Sequence, residues 1–484
     1  MTIYKSVFLN ILLLHLLSIE KCFLFSVIIS IYNTGRYLDD SIGSLINQTI
    51  NFENIQVILV NDGSLDNTEE ICLKYQEKYQ KNIIYIKIEH SGVSKARNIG
   101  MNYAFGKYIN FLDSDDKWDY RAFENILLFF ENYPNIDFVA GRIKFFEAYN
   151  DYHPLDYKFY KTRVVNLNKE YKCIQTSASS SVFRKSLLEG KKFNERVYFC
   201  EDYRFVNNLL LINPVMGLIK EAIYYYRKRS DFSSAVQNQK KKLDFYFGTL
   251  NFVSKYLFNY SWILYNKIIP FIQYLISYEL LFRIQSPAFK FLDSCNFQKY
   301  KLLIDKLLKQ IDDKYILGQK FASNKYKLFI LSKKYHRDLR NDIEFQNDSL
   351  FYSKYRIIDL RNEKNIIVWK ILNVKNHILY LEGIDNFWMP RKQYNYFFKI
   401  GNKTYLPNYT KNPNYDFLTL YGSTIKGRII SFEIPLETEI MQQTFYFFIS
   451  YLNHHVEIFP LLGIFYSNII IIWKLNLKNY IVMN

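Results

Sequence analysis

The sequence predicts an α/β domain with a mainly parallel sheet, followed by a helical region and a small β-sandwich-like domain. Strand and helix signals alternate through residues 24–143, helical spacing dominates from about 240 to 345, and short strands separated by turn residues follow from about 350 to 460. The length of 484 residues exceeds one ordinary domain. We therefore predict an amino-terminal extension at 1–23, an α/β domain at 24–235, a helical region at 236–348 and a β-rich domain at 349–484.

The α/β domain opens with a continuous apolar run and an amphipathic helix. Phe25–Ile31 is typical of a buried strand, and apolar residues then recur at helical spacing from Leu38 to Ile46. The alternation continues through strands predicted at Gln56–Val60, Ile83–Ile88, Tyr108–Leu112 and Phe138–Ile143, and helices predicted at Thr68–Tyr79, Ser94–Phe105 and 119–131. Short connections between such elements indicate parallel strands covered by helices on both faces.

Acidic residues directly follow two of these strands. Asp62 lies in an Asn-Asp-Gly-Ser turn, and Asp113, Asp115 and Asp116 end the fourth strand. Ligands of open α/β sheets bind beyond the carboxyl ends of the strands, so we expect the two turns to converge. The Asp-x-Asp spacing can offer oxygen ligands to a hard divalent cation that binds a diphosphate. A solvated acidic loop is the alternative interpretation.

The second half of the chain carries a helical and then a β-rich pattern. Proline interrupts the helical part at Pro270 and Pro287, and Lys301–Ile311 has clear helical spacing. The aromatic helices between 243 and 284 indicate a packed bundle, with a peripheral membrane face as the alternative. The strands predicted further on include Ile378–Gly383, Tyr394–Gly401 and Arg428–Ile434.

Net positive charge is concentrated in the second half. Of the formal +17, residues 1–235 contribute +2 (29 Lys/Arg, 27 Asp/Glu) and residues 236–484 contribute +15 (34 and 19). Such a half could meet an anionic membrane surface, an acidic polymer or nucleic acid, or could simply be solvated. It shows no nucleic-acid recognition motif, so nucleic acid is the weakest of these options.

The five cysteines and the first residues bear on the compartment. No CxxC pair occurs, so neither a zinc site nor a disulfide framework is indicated, and a reducing cytoplasm fits best. The apolar run Val7–Ile19 resembles a signal peptide, but it lacks a small-residue cleavage site and leads directly into the first strand. An additional helix or upstream extension is therefore favoured over secretion. The runs Val7–Ile19 and Leu461–Trp473 are both too short to span a bilayer.

Four stretches stand in an order that is typical of one family. They read SVIISIYN (26–33), VILVNDGSLDNT (57–68), HSGVSKARNIGMNYAFGKYINFLDSDD (90–116) and NERVYFCEDYRF (194–205). Together they resemble the family 2 glycosyltransferases, whose nucleotide-diphospho-sugar transferase fold is called GT-A. The resemblance covers about residues 24–230, and Ser30 departs from it at a position where the family usually has proline.

The resemblance implies roles for individual residues on the donor side. Tyr32 and Asn33 match positions against the nucleotide base, and Asp62 matches the carboxylate that holds base or ribose. Arg97 and Asn98 match positions that face the nucleotide. Asp113 matches a position that contacts the ribose or the metal, and Asp115 matches the position that binds the Mg²⁺ or Mn²⁺ ion. Arg227 or Arg229, with Ser233 and Ser234, matches a segment that lies over the diphosphate. A basic surface strand is the alternative for the last group.

The resemblance also implies a base that deprotonates the acceptor. Asp202 is the expected base, with Glu201 as second candidate or acceptor-binding group, because adjacent carboxylates raise each other's pKa. The alternative is that the pair only caps the following helix. A single displacement at the anomeric carbon predicts inversion. Trp118 and His90 are expected to serve the fold.

The expected function is thus an inverting, metal-dependent glycosyltransferase of the cytoplasm. It would move a sugar from a UDP-hexose or UDP-N-acetylhexosamine to a glycan or lipid-linked acceptor of a bacterial surface polymer (capsule, lipopolysaccharide or teichoic acid). Peripheral contact with the inner membrane through the basic half belongs to this expectation. A sugar nucleotidyltransferase is disfavoured, because no Gly-rich phosphate loop follows the first strand. A non-catalytic carbohydrate-binding or scaffold protein is the other alternative.

Overall fold

The computed structural model describes residues 23–231, 242–285, 288–347 and 349–359, together with strand segments between 367 and 473. Two predictions therefore lie outside the described residues: the character of the run Val7–Ile19 and the position of Ser233 and Ser234. The chain divides into two compact units. The described residues up to Tyr278, with Gln298–Ile311, form the first unit, and Glu279–Phe297 with the described residues from Asp312 onward form the second. The predicted domain boundaries stay predictions.

A nine-stranded mixed sheet is the centre of the first unit, in the order β3-β2-β1-β4-β8-β6-β9-β5, with β7 paired to β9. The strands are β1 (Phe25–Ile31), β2 (Ile55–Asn61), β3 (Ile83–Lys87), β4 (Tyr108–Asp113), β5 (Lys117–Trp118), β6 (Phe138–Glu147), β7 (Arg163–Asn166), β8 (Ser181–Arg184) and β9 (Val215–Lys228). The half from β3 to β4 is parallel, as predicted. Beyond it, β8 runs antiparallel to both β4 and β6, whereas β6 and β9 are parallel.

Five helices accompany this sheet up to residue 212: α1 (Leu38–Ile46), α2 (Thr68–Lys78), α3 (Val93–Met101), α4 (Ala122–Asn132) and α5 (Glu201–Ile212). β1 and β2 are almost wholly buried, because the β-branched residues that fill them pack against helices on both faces. One core cluster joins the sheet to the apolar faces of α1 and α4. The fold class predicted from the alternation is therefore confirmed.

Helix α3 ends earlier than its sequence pattern predicts. The pattern extends to Phe105, but the helix stops at Met101. The Gln56 side chain binds the chain beyond that point, donating to the Tyr103 carbonyl at 2.9 Å and accepting from the Phe105 amide at 2.9 Å. Gly106 then passes so close to β1 that a Cβ there would lie 2.5 Å from backbone atoms of Phe25 and Ser26. A contact with a neighbouring strand thus overrides the local helical preference.

Helices and small sheets follow, as predicted. The helices are α6 (Leu243–Thr249), α7 (Lys255–Tyr265), α8 (Pro270–Gln285), α9 (Ser294–Leu308), α10 (Asp313–Leu317) and α11 (Asn324–Lys334), with a π-helical turn at Leu250–Ser254. Among the described residues, none of the helices is both long enough and apolar enough to cross a membrane.

The described residues of the second unit form three antiparallel sheets. The first joins β10 (Ile343–Gln346), β11 (Ser349–Tyr352) and β12 (Tyr355–Asp359). The other two contain the remaining strands: β13 (Ile367–Lys375), β14 (Ile378–Asp385), β15 (Tyr394–Ile400), β16 (Lys403–Tyr405), β17 (Asn408–Leu420), β18 (Ser423–Pro435), β19 (Phe445–Tyr451), β20 (His454–Tyr466) and β21 (Ile469–Trp473). The predicted strand content is confirmed, and the packing of these sheets as a sandwich stays a prediction.

Candidate functional site

The carboxyl ends of three parallel strands bring the predicted donor-side residues to one edge of the sheet. β1 pairs with β2 up to Ile31 opposite Asn61, and with β4 up to Ser30 opposite Asp113. Residues that directly follow these strands therefore meet at the same edge. The convergence expected from the alternating pattern is thus present, although about fifty residues separate the two acidic turns in sequence.

Tyr32 and Asn33 form the loop after β1. The Tyr32 ring is 43% exposed and stacks on the His90 ring, with centroids 4.1 Å apart. Asn33 has a positive φ of 51°, and its Oδ1 accepts from the Leu65 amide at 2.8 Å. The loop after β1 is therefore fastened to the loop after β2, and the aromatic ring keeps an open face on which a planar base can stack.

Asp62 is engaged with the loop that precedes α3. Its Oδ1 accepts from the Ser91 amide at 2.7 Å, its Oδ2 accepts from the Gly92 amide at 2.9 Å, and His90 Nδ1 lies 2.9 Å from Oδ2. The carboxylate thus supplies negative charge at the amino terminus of α3, where backbone amides need acceptors. Only 4% of the Asp62 side chain is exposed, so the loop absorbs most of its hydrogen-bonding capacity.

The three carboxylates after β4 have different surroundings. Asp113 Oδ1 accepts from Arg97, and its Oδ2 accepts from Ser179 Oγ at 2.9 Å. Asp115 pairs with Arg229, whose Nε donates to Oδ2 at 2.9 Å. Burial raises the pKa of Asp115, Arg229 opposes that rise, and the nearby Asp113 adds to it. These two side chains remain 31% and 20% exposed, so they form the accessible part of the turn.

Asp116 is buried and fastens the acidic turn to β9. It is 1% exposed, and it accepts from Tyr224 Oη at 2.7 Å and from the Arg227 amide at 2.7 Å. Burial and the neighbouring Asp115 and Asp113 raise its pKa well above the ordinary value. Asp116 therefore has a structural role that no local pattern indicates, since its partners are more than 100 positions away.

Arg97 connects the acidic turn to the first residue of α5. Its guanidinium is 3% exposed, and it donates to Asp113 Oδ1 at 2.8 Å and to Glu201 Oε1 at 2.8 Å. Burial alone would lower the pKa of Arg97, but Asp113 and Glu201 together raise it above the ordinary value. A permanently charged planar group is thus shared by two carboxylates that are 88 positions apart in sequence.

Glu201 and Asp202 lie in the first turn of α5, directly after Cys200 in a left-handed conformation with φ 61°. Burial and the Glu201 charge raise the pKa of Asp202 to about 7, while Arg97 lowers it. Asp202 Oδ1 accepts from the Tyr203 amide at 2.7 Å. The two adjacent carboxyl groups thus differ: Glu201 is fixed by an arginine, and Asp202 is tuned to exchange a proton near neutrality.

Asn98 and Arg227 form hydrogen bonds to other residues that the structure describes. Asn98 Nδ2 donates to the Phe193 carbonyl at 3.0 Å, and its Oδ1 accepts from the Phe193 amide at 2.8 Å. Arg227 is 8% exposed and donates to the Asp115 carbonyl and to the side chains of Glu147 and Asp40. Both residues therefore hold segments around the site, and direct contact with a nucleotide or diphosphate stays a prediction.

Ser179 is a site residue that the sequence analysis missed. It lies in a buried loop before β8, and the Gln175 side chain holds this loop by donating to Ser180 Oγ at 3.0 Å and to Ser181 Oγ at 3.0 Å. Gln175 in turn accepts from Lys158, whose pKa burial lowers to about 7. The only local signal was a run of small polar residues between two apolar stretches.

A divalent cation fits the chemistry of Asp113 and Asp115. Both are carboxylates on one turn with partly exposed oxygens, which hard cations prefer. Within the described ranges, no group of three or more potential ligands gathers at one place, so ligands from a bound diphosphate would have to complete the coordination. Arg229 contacts Asp115 at the position where such a cation would bind, so the arginine has to move aside or share the carboxylate.

Comparisons with known proteins identify similar chains. Residues 26–190 match the family model described as glycosyl transferase family 2. The minor teichoic acid biosynthesis protein GgaB of Bacillus subtilis (strain 168) is 35% identical over 441 residues, 90% of this chain and 48% of GgaB. GgaA of the same organism is 34% identical over 305 residues, 61% of this chain and 68% of GgaA. The chain thus spans about half the length of GgaB.

Solved structures agree on the fold. The crystal structure of S. aureus TarS has a TM-score of 0.54 at 16% identity, covering 93% of this chain and 82% of TarS. TarS 1–349 in complex with UDP-GlcNAc has a TM-score of 0.51 at 18% identity, covering 67% and 95%. A mixed sheet with an Asp-x-Asp turn at the end of its parallel half defines the GT-A class of fold. Within that class, the chain belongs to the family 2 glycosyltransferases.

Proposed function

We propose that this chain moves a sugar, with inversion, from a nucleotide-diphospho-sugar to a hydroxyl group of a bacterial surface glycan. The names of GgaB and GgaA favour a teichoic acid over a capsule or lipopolysaccharide as the product. A UDP-hexose or UDP-N-acetylhexosamine is the proposed donor, since TarS 1–349, a protein of the same fold, was crystallised with UDP-GlcNAc. The cytoplasmic location expected from the scattered cysteines belongs to the proposal.

The observation that carries this proposal is the pair of contacts that Arg97 makes to Asp113 and Glu201. Asp113 belongs to the turn predicted to face the diphosphate, and Glu201 adjoins the predicted base. One guanidinium contacts both carboxylates at 2.8 Å. The acidic turn is therefore part of a hydrogen-bonded cluster of side chains rather than a solvated loop. Asp202, the residue after Glu201, has a carboxyl group whose pKa burial raises to about 7. Donor and acceptor chemistry need this proximity, because they act on the same anomeric carbon.

The proposed reaction is a single displacement. The acceptor oxygen attacks the anomeric carbon on the face opposite the diphosphate. A new C–O bond forms while the bond from that carbon to the β-phosphate oxygen breaks, and the nucleoside diphosphate leaves with the electron pair. Asp202 takes the proton of the attacking hydroxyl, since a carboxyl group with a pKa of about 7 is a stronger base than an ordinary aspartate.

On the donor side, the exposed face of Tyr32 stacks on the base, and Asn33 and Asp62 shape the loop around it. Arg229 places positive charge beside the departing diphosphate. Asp115, with Asp113, would hold Mg²⁺ or Mn²⁺, which when bound neutralises charge on the leaving group.

Arg97, Asn98 and Arg227 act behind this surface by positioning the carboxylates and loops around it.

The base assignment is tested with Asp202→Asn. UDP release is measured from a panel of UDP-sugars with Mn²⁺ and purified teichoic acid polymer as acceptor. Removing a general base typically lowers kcat by about 10²- to 10⁴-fold, while donor binding, followed by thermal shift, stays near that of the wild type. Glu131→Gln, at an exposed position on α4, is the matched control. Full activity of Asp202→Asn would refute the role, and glycan binding without turnover by the wild type would favour a scaffold.

The metal assignment is tested without turnover. A ligand that binds only the folded state raises its stability, so UDP with Mn²⁺ should raise the unfolding temperature of the wild type more than UDP alone. In Asp115→Asn the additional rise from Mn²⁺ should disappear, while the rise from UDP alone persists. An additional Mn²⁺ effect of wild-type size in this variant would place the cation elsewhere.

A further inference from the structure

Three consecutive apolar side chains are exposed at the end of helix α7. Trp262 is 50% exposed, Ile263 78% and Leu264 42%, and Phe252, one π-helical turn before α7, is 50% exposed. Successive residues of a helix point about 100° apart, so three in a row cover more than half of its circumference. Leu257, Phe258 and Ser261 are the buried residues of α7, so the helix packs on one side and leaves the arc of residues 262–264 uncovered. We call residues 262–264 the α7 corner; all three of its side chains are exposed on the first unit.

The charged side chains of the segment that contains the α7 corner have one sign. Residues 245–278 contain neither Asp nor Glu, and their only charged side chains are Lys255 and Lys267. Both lysines are exposed. Lys255 and Trp262 are seven residues apart in α7, which places them on the same helical face. The exposed face of this helix is therefore apolar and basic, without an acidic residue.

This combination selects one occupant, and we propose that the α7 corner docks onto an anionic phospholipid bilayer. Tryptophan and aliphatic side chains enter the boundary between headgroups and acyl chains, and lysines beside them attract anionic headgroups. A symmetric contact with a second copy of the chain would bring these lysines close to their own counterparts with no acidic partner within 245–278. The charge pattern thus favours lipid over self-association. The peripheral membrane contact that we expect from the basic residues 236–484 is thereby assigned to helix α7.

The placement of α7 relates the lipid surface to the candidate base. Arg204 in the first turns of α5 donates to the Phe252 carbonyl at 2.7 Å, and Tyr265 at the end of α7 donates to the Leu211 carbonyl. The two helices therefore run side by side in the same direction. Asp202 lies in the first turn of α5, and α7 ends beside Leu211 near the other end, about 14 Å further along the axis at 1.5 Å per residue. Docking thus holds the candidate base about one helix length from the membrane.

Vesicle flotation of the full chain tests the proposal without any donor or acceptor, so its outcome does not depend on the proposed reaction. The wild type should float with phosphatidylcholine vesicles that contain 30% phosphatidylglycerol, and much less with pure phosphatidylcholine. The double variant Trp262→Ser/Ile263→Ser should lose binding at least about tenfold, because burying each apolar side chain contributes of order one to two powers of ten. Lys255→Ala/Lys267→Ala should lose the part of binding that salt weakens.

Leu302→Ser is the matched control, because Leu302 is 61% exposed on α9 in the same unit, and it should float like the wild type. Thermal unfolding verifies that each variant folds. The proposal is overturned if the wild type stays unbound with anionic vesicles, or if the Trp262/Ile263 variant binds them as the wild type does. It is also overturned if that variant instead changes the molecular mass in light scattering, since the corner would then be a protein interface.

Discussion

Replacing Arg97 tests how the candidate site is built. Arg97→Met keeps most of the volume but removes the bonds to Asp113 and Glu201, both 2.8 Å long. Removing one partner of a buried ion pair costs about 3–5 kcal/mol. Asp113 is 31% exposed, so water replaces part of its lost partner, and we expect the lower limit, about 3 kcal/mol, in the free energy of unfolding.

The same change should move the pH profile. Arg97 lowers the pKa of Asp202, which otherwise rises through burial and the Glu201 charge. Without Arg97 that pKa rises above about 7, and the base is deprotonated only at higher pH. The acidic limb of kcat/KM should therefore shift toward alkaline pH, with a loss at pH 7 of about tenfold per pH unit and partial recovery at pH 9.

Arg97→Lys is the control that keeps the positive charge but removes the planar guanidinium. The ammonium keeps the positive charge but lacks the planar fork that reaches two carboxylates, so the limb should move less than in Arg97→Met. UDP release measured between pH 5 and 9, with denaturant unfolding alongside, gives both quantities. The reasoning is refuted if Arg97→Met loses stability while its acidic limb stays at the wild-type position, because Arg97 would then serve only the fold.

Three further predictions follow from the candidate site and from the packing of the α/β domain. Asp202 has a folded-state pKa of about 7 against an ordinary 3.8, so its stabilising contribution is complete below pH 3.8 and is lost as pH rises through 7. The free energy of unfolding of Asp202→Asn should therefore exceed that of the wild type by at most about 4 kcal/mol at pH 8 and by nothing at pH 4. An equal gain at both pH values would contradict this. Ser179→Ala removes one of the bonds to Asp113 and should raise the KM of the donor about fivefold with kcat within about twofold; a loss confined to kcat would contradict a positioning role. Gly106→Ala places a Cβ 2.5 Å from the β1 backbone and should lower the free energy of unfolding by about 3 kcal/mol in denaturant unfolding. Gly43→Ala is the control: a Cβ at this position in α1 meets nothing within 4 Å and should raise that free energy by about 0.5–1 kcal/mol. Equal effects of the two changes would contradict the close approach of Gly106 to β1.

The parallel half of the sheet was predictable because its signals are local. Apolar runs such as Phe25–Ile31 and the acidic turn after Tyr108–Leu112 are visible within a few residues, and parallel pairing then places the strand ends together. The order β4-β8-β6-β9 was not predictable, because strand pairing in this mixed half of the sheet depends on contacts between distant segments. The early end of α3 has the same cause, since Gln56 determines it from β2.

The sequence indicates most of the residues that the folded chain brings together here, Ser179 excepted, but not the contacts between them. The stretches around Asp62, Asp113 and Glu201 identify acidic residues, but nothing near Arg97 indicates that its guanidinium turns inward to join two of them. Arg227 and Arg229 lie two residues apart in one basic stretch, and yet Arg227 is tied to Glu147 and Asp40 while Arg229 pairs with Asp115. Such differences arise from side-chain geometry that only the folded chain determines.

The shared guanidinium also has an evolutionary consequence. Because Arg97 balances Asp113 and Glu201 together, neutralising either carboxylate leaves the arginine with half of its counter-charge, and neutralising Arg97 leaves both carboxylates without theirs. Substitutions at these three positions should therefore be strongly epistatic. Lineages that abandon one member should carry compensating changes at the others, so the three positions should change together while exposed neighbours such as Lys95 vary independently.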